Sequence, residues 1–218
     1  MKSLLSDYFH EIDMVDEIAQ YSKKISYDKG ETIFYGNQLM DYFYIILSGT
    51  VKTYQLNLKT GKEQTIFLFK RGDMFDVIIL LDRKPHDVMY EAIDDVELMQ
   101  LPIQQVREWI TTKPKFNEVF FPHIAAQMRH TEELATDLAL YSTQERLIKL
   151  ILKNLSSDTE HQFSLIHNLT HIEIAKLIGT VRHVVERHLG VLKNENAISV
   201  NQHKHIDVTN IQKLLEKL

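Results

Sequence analysis

Asn168-Leu-Thr-His-Ile-Glu-Ile-Ala-Lys-Leu-Ile-Gly179-Thr-Val-Arg-His-Val-Val-Glu-Arg-His-Leu-Gly190-Val-Leu-Lys-Asn-Glu-Asn-Ala-Ile-Ser-Val200 is the stretch whose reading decides the fold. Thr170 followed three residues on by Glu173 is a capping-box pattern, in which hydroxyl and carboxylate each satisfy an amide of the first turn. Ile172, Ile174, Ala175, Leu177 and Ile178 recur at helical spacing and give that helix an apolar face. Gly179 supplies the permissive backbone that ends the helix and turns the chain. A second helix follows, with Val181, Val184, Val185, Leu189 and Leu192 expected to face inward. Arg182, His183, Glu186 and Arg187 are left on one outward stripe. Two guanidinium groups so placed suit bidentate bonding to guanine edges in a major groove. The pattern predicts a helix-turn-helix followed by the first strand of a wing.

Working outward, the wing continues as Ala197–Val200 and His205–Val208 around Asn201-Gln-His-Lys204, with Thr209 expected to cap a last helix ending at Leu218. Upstream, Phe163-Ser-Leu-Ile reads as a short strand and residues 156–160 as a polar loop. Ser142-Thr-Gln-Glu145 is a second capping box, starting a helix to about Leu155. Residues 115–141 contain no glycine and, of the strong breakers, only Pro122. Within them Ile124, Met128, Thr131, Ala135 and Leu138 follow a four-three-four-three spacing, the seam of a two-helix coiled coil. Phe116, Phe120 and Phe121 read instead as core. Ile103–Thr112 lies in a further short helix that begins at Pro102 and is closed by Lys113-Pro114.

The front of the chain has another period. After one or two helices over residues 4–21, built on Leu5, Phe9, Ile12, Val15 and Ile18, short aromatic and branched runs appear from Ile25. Thr32–Tyr35, Tyr42–Leu47, Val51–Leu56, Gln64–Phe69, Val88–Ala92 and Glu97–Leu101 read as strands. Gly30, Gly36, Gly49, Gly61 and Gly72 mark the turns. Such spacing predicts a small antiparallel barrel or sandwich.

The two parts differ in charge. Residues 1–141 carry 15 Lys/Arg against 22 Asp/Glu, and residues 142–218 carry 10 against 8, within a total of −5 over 218 residues. A net acidic chain does not coat nucleic acid indiscriminately. An acidic front and a basic back fit a sensor joined to a DNA reader. The absence of cysteine removes disulfides, cysteine-ligated zinc and iron–sulfur clusters. No signal peptide or membrane-spanning run is visible, so cytoplasmic residence without membrane contact is expected. No nucleophile–base pair, metal spacing or phosphate-cradling loop suggests an enzyme.

In order of parts and in residues, the chain resembles the Crp/Fnr superfamily of bacterial transcription regulators. The likeness rests in front on Gly30-Glu31, Gly36-Asn37, Tyr44-Ile-Ile with Gly49 and Val51, Gly61-Lys-Glu63, and Gly72-Asp73 before Phe75. Behind, it rests on Glu173-Ile-Ala, Gly179, Arg182, Val185, Arg187 and Leu189. It implies an α+β architecture: a cyclic-nucleotide-binding-like jelly-roll barrel over 1–113, a dimerisation helix over 114–141 and a winged helix-turn-helix over 142–218. It further implies a homodimer that reads an inverted repeat in double-stranded DNA, with RNA polymerase as a partner. Arg182 and Arg187 would take the two guanine-reading positions, and His183 stands where many members have a glutamate. Thr170 and His171 would meet phosphates, and Thr180 and Val181 start the recognition helix.

One departure bears on the effector. Members that bind cyclic AMP carry Gly-Glu-Leu and, about ten residues on, Arg-Ser or Arg-Thr and Ala. Here Asp76-Val77 stands at the first place and His86-Asp87-Val88 at the second, in a loop one residue shorter. A cyclic phosphate needs a guanidinium, and two carboxylates repel it. Control by cyclic AMP is therefore not expected. Asp76, His86, Asp87, Phe67, Phe69 and Met89 are the effector-pocket candidates. No cofactor or metal is predicted; haem on a histidine such as His10, His86 or His123, and a small organic effector, stay open. The competing reading is a small-molecule-binding module whose DNA-reading function is lost.

Overall fold

The computed structural model describes residues 14–34, 38–155, 169–200 and 206–218. The elements in chain order are α1 (Val15–Tyr21), β1 (Lys23–Tyr27), β2 (Thr32–Ile33), α2 (Gln38–Asp41), β3 (Tyr42–Ser48), β4 (Val51–Leu56), β5 (Glu63–Phe69), β6 (Met74–Phe75), α3 (Val77–Asp82), β7 (Met89–Ala92) and β8 (Val96–Pro102). They continue with α4 (Ile103–Thr112), α5 (Pro114–Leu140), α6 (Thr143–Lys153), α7 (His171–Leu177), α8 (Arg182–Asn194), β9 (Ile198–Val200), β10 (Ile206–Val208) and α9 (Ile211–Leu215). The chain forms two compact units, residues 1–55 with 65–131, and residues 56–64 with 132–218.

The first unit is an antiparallel jelly roll of two four-stranded sheets, ordered β1-β8-β3-β6 and β2-β7-β4-β5. β3 alternates poorly because its middle is buried throughout, from Phe43 to Leu47. It pairs with β8 in register from Tyr42↔Pro102 to Ile46↔Leu98, with an irregularity before Ser48. Gly49 makes the adjoining turn: its φ is +82°, and a Cβ there would lie 2.3 Å from the Asp95 carbonyl oxygen. Trp109, Phe116 and Phe120 close the core from α4 and α5. Phe121, read as core, is instead 54% exposed, because it follows Phe120 by 100° around the helix and leaves the buried face.

Four elements were not legible as such: β1, α2, the two-residue β6, and α3 within the apolar run Val77-Ile-Ile-Leu-Leu. α3 owes its form to its caps. The Asp76 carboxylate accepts from the Ile78 and Ile79 amides, and Arg107 donates to the Ile79 and Leu80 carbonyls at 2.9 Å each.

In the second unit both capping boxes form, Ser142 with Glu145 and Thr170 with Glu173. The core gathers Leu147, Ile148 and Ile151 of α6, Ile174 and Ala175 of α7, and Val185, Leu189 and Leu192 of α8. β9 and β10 pair antiparallel as the wing, Ile206↔Val200 to Val208↔Ile198. The last helix is capped by Asn210, whose side chain accepts from the Lys213 amide, and not by Thr209, whose hydroxyl donates to the Asn196 carbonyl. The C-terminal part of α5 is tied to α6 through Lys149 with Asp137 and Lys153 with Glu133.

Leu5, Phe9, Ile12, His10, Tyr35, Gly36, the 156–160 loop, the Phe163–Ile166 strand and Asn201–His205 lie outside the described residues. Among the described residues no helix is long and apolar enough to cross a membrane.

Candidate nucleic-acid interface and effector pocket

The helix-turn-helix is built by local chemistry. α7 closes where the Thr180 amide donates to the Ala175 carbonyl at 2.8 Å, with Gly179 at φ +70° between them. α8 then buries Val185, His188, Leu189 and Leu192. Each fully buried valine or leucine there is worth about 1.5–3 kcal/mol. Anchored along that side, the helix leaves Arg182, His183, Glu186 and Arg187 exposed. Val181, expected to face inward, is the N-cap residue with extended backbone and is half exposed, so it precedes the helical stripe it was assigned to. Val184 is half-buried. His188 was missed as an inward position although it lies three residues from Val185 and four from Leu192. Its Nε2 lies 3.0 Å from the Thr143 hydroxyl, and burial, with Arg187 nearby, holds its pKa below the usual histidine value.

Across this surface Arg182 Nε donates to Glu186 Oε1 at 2.7 Å, and His171 Nδ1 lies 3.5 Å from the same oxygen. Hydrogen bonding from Arg182 first, and His171 second, holds the Glu186 carboxyl below the usual carboxylate range. Thr170 is exposed, while His171 and Thr180 are half-buried beside α8.

The first unit contains a cavity of about 180 Å³ lined by Thr53, Gln55, Ile66, Phe67, Phe69, Phe75, Asp76, Val77, Ile78, His86, Val88, Tyr90, Gln127 and Thr131. Asp76, His86, Phe67 and Phe69 of the sequence candidates meet there. Asp87 and Met89 do not line it: both are exposed, because Val88 and Tyr90 occupy the inward phase and Met89 falls on the opposite face of β7. Strand alternation was the available signal for Tyr90. Thr131, read as a seam residue, also lines the cavity, and its hydroxyl donates to the Gln127 carbonyl.

Asp76 is the centre of this site's polar chemistry. It is 4% exposed. Besides two α3 amides it accepts from the Tyr90 hydroxyl at 3.0 Å and faces His86 Nδ1 at 2.5 Å. That bond from Asp76 raises the His86 pKa against the opposing effect of burial. Burial, aided by the Asp76 charge, pushes the Tyr90 hydroxyl well above its ordinary value. No lysine or arginine is among the described lining residues. Haem candidates fare differently: His123 Nε2 is engaged with the Met74 carbonyl at 2.9 Å and Gln127 at 2.7 Å.

On the proposed seam, Ile124 is half-buried against the first unit's core, while Met128, Ala135 and Leu138 are exposed. Phe121 adds an exposed apolar position one step before Ile124.

Comparison with known proteins agrees with this arrangement. Residues 24–113 match the family model of the cyclic nucleotide-binding domain, and residues 145–217 that of the Crp-like helix-turn-helix domain. The chain is 27% identical over 184 residues to the global nitrogen regulator of Nostoc sp., covering 82% of each. It is 26% identical over 168 residues to the CRP-like cAMP-activated global transcriptional regulator of Mycobacterium tuberculosis, covering 76% of this chain and 75% of that one. Its fold matches that of a CooA mutant from Carboxydothermus hydrogenoformans with a TM-score of 0.80 at 17% identity, over 98% and 94% of the two chains. With a cyclic-nucleotide-binding-like front and a Crp-like helix-turn-helix behind, the chain belongs to the Crp/Fnr superfamily of transcription regulators.

Proposed function

We propose that this regulator acts as a homodimer, reads an inverted repeat through Arg182, His183 and Arg187, and is not controlled by cyclic AMP. The observation that carries the DNA reading is the division of α8 into a buried face and an exposed face bearing both arginines. A guanidinium fork matches the paired acceptors of guanine, and His183 can donate or accept at the base pair between. Thr170 and His171 stand at the start of α7, and Thr180 and Val181 just before α8, where they would meet the backbone and orient the protein without specifying sequence. The exposed seam of Met128, Ala135 and Leu138, continued by Phe121, supports pairing through α5, which sets two reading helices about one helical turn apart. RNA polymerase is the partner at the promoter.

Against cyclic AMP stands the cavity wall. A phosphodiester placed there would meet the Asp76 carboxylate with no lysine or arginine among the described lining residues to offset it. At an effective dielectric of about 20, like charges 4 Å apart repel by about 4 kcal/mol. His86, the one group able to supply positive charge, already engages Asp76.

Selection of genomic fragments by the purified protein supplies the cognate site. Arg182→Ala and Arg187→Ala each weaken binding to it by about 1–3 kcal/mol and weaken random duplex less. An unchanged shift by the double variant overturns the reading.

A further inference from the structure

We infer that the cavity of the first unit is a binding site for a neutral, single-ring aromatic molecule bearing a hydroxyl group. The inference rests on the reading above that the input to this regulator is not a cyclic nucleotide.

Size comes first. The cavity holds about 180 Å³. Dry apolar cavities of about 150 Å³ accept benzene, whereas drug-sized ligands occupy roughly 300 Å³ or more. One ring with a substituent fills that space.

The walls favour a flat apolar body. Phe67 and Phe69 stack at 4.9 Å and 9°, Phe69 and Phe75 at 5.3 Å and 11°, and Phe75 and Tyr90 at 5.2 Å and 24°. Four side chains thus form one row of near-parallel rings, with Ile66, Val77 and Val88 beside them. Offset stacking and edge contacts against such a row select another ring.

Charge then excludes ions. Asp76 already accepts four hydrogen bonds, two on each oxygen, so it has little left for a cationic ligand. No lysine or arginine is among the described lining residues, and the charge of a protonated His86 is offset by Asp76, so an anionic ligand would meet no net positive charge.

One polar anchor remains. His86 Nδ1 carries the proton given to Asp76, and Nε2 has no hydrogen-bond partner among the described residues. Nε2 is an acceptor while the ring is neutral and a donor once it is protonated. A hydroxyl meets both states, since it donates to the first and accepts from the second. A carbonyl or ether meets only the second. Hydroxyl is therefore the matching substituent, and the side chains of Thr53, Gln55 and Gln127 are within the same wall for further polar groups.

The test is isothermal titration of the full-length protein at pH 7 with phenol, and separately with benzoate and with cyclic AMP. Phenol is expected to bind one per chain and to raise the melting temperature, with benzoate and cyclic AMP at least tenfold weaker. Val88→Phe, which fills the cavity, and Gln55→Trp, at its exposed rim, each weaken phenol at least tenfold; the second serves should the first not fold. His86→Leu weakens it several-fold. Phenol binding that ignores both filling variants, or cyclic AMP or benzoate binding as tightly as phenol, overturns the inference. Gel shift of the selected DNA fragment is run on the same samples. Retained shift by the wild-type protein without phenol binding sinks the ligand class alone, whereas a wild-type protein that selects and shifts no fragment sinks the regulator reading itself.

Discussion

Arg182 and Glu186, one turn apart on α8, are joined by a 2.7 Å hydrogen bond from Nε to Oε1, and the terminal guanidinium nitrogens of Arg182 have no partner among the described residues. The carboxylate therefore engages the inner edge of the guanidinium and leaves the two-pronged outer edge for a base. It also stands as a negative charge on the surface proposed to face DNA. Glu186→Ala is expected to bind random duplex more tightly while its preference for the cognate site falls, because Arg182 is freed to contact phosphates. Fluorescence anisotropy between 50 and 200 mM salt measures both affinities, and a specificity ratio equal to wild type refutes the role. Exposure of the pair makes its effect on folding small.

Met128→Glu places a charge on the exposed seam of α5. Sedimentation velocity should show a monomer, with loss of affinity for the inverted repeat and little loss for a single half-site. A variant that sediments as a dimer would remove this face from the interface.

Gly179 and Gly61 share left-handed backbone, at φ +70° and +68°, yet their surroundings differ. A Cβ at Gly179 would lie 2.7 Å from Leu138 Cδ2, while nothing lies within 4 Å at Gly61. Gly61→Ala should cost only the backbone penalty of about 1–2 kcal/mol, and Gly179→Ala distinctly more. Urea unfolding of the two variants gives the comparison; equal costs would mean that Leu138 yields freely.

Two histidines are expected to give the units opposite pH responses. Asp76 holds the folded-state pKa of His86 above its ordinary value of about 6.5. The stability this confers is complete below that value and is lost as pH rises through the raised one. Burial holds His188 below its ordinary value, so its contribution is present above about 6.5 and declines as pH falls toward the lowered one. Denaturant midpoints from pH 5 to 8 should show the alkaline decline flattened by His86→Gln and the acidic decline flattened by His188→Gln. Parallel profiles for wild type and both variants would exclude these groups as the cause.

The elements closed by neighbours in sequence were legible from sequence. Ser142 with Glu145, Thr170 with Glu173, and the turn at Gly179 join groups within a few residues, so residue type and spacing suffice to specify them. Strand periods were readable for the same reason. The α3 start was equally local, since Asp76 precedes an apolar run as a cap should, but five apolar residues read alike as buried strand or short helix.

Sequence alone thus determined which segments are helix or strand around the helix-turn-helix, which charges sit on α8, and that the phosphate cassette lacks its arginine. Tertiary structure alone decided that Asp76, His86 and Tyr90 meet at one carboxylate, and it fixed the phases that the periods left open, placing Tyr90 and not Met89 at the cavity, Phe121 outside the core and His188 within it. The reason is physical: period and caps are set by contacts along the chain, whereas the phase of a strand and the meeting of residues ten and fourteen apart are set by what packs against them.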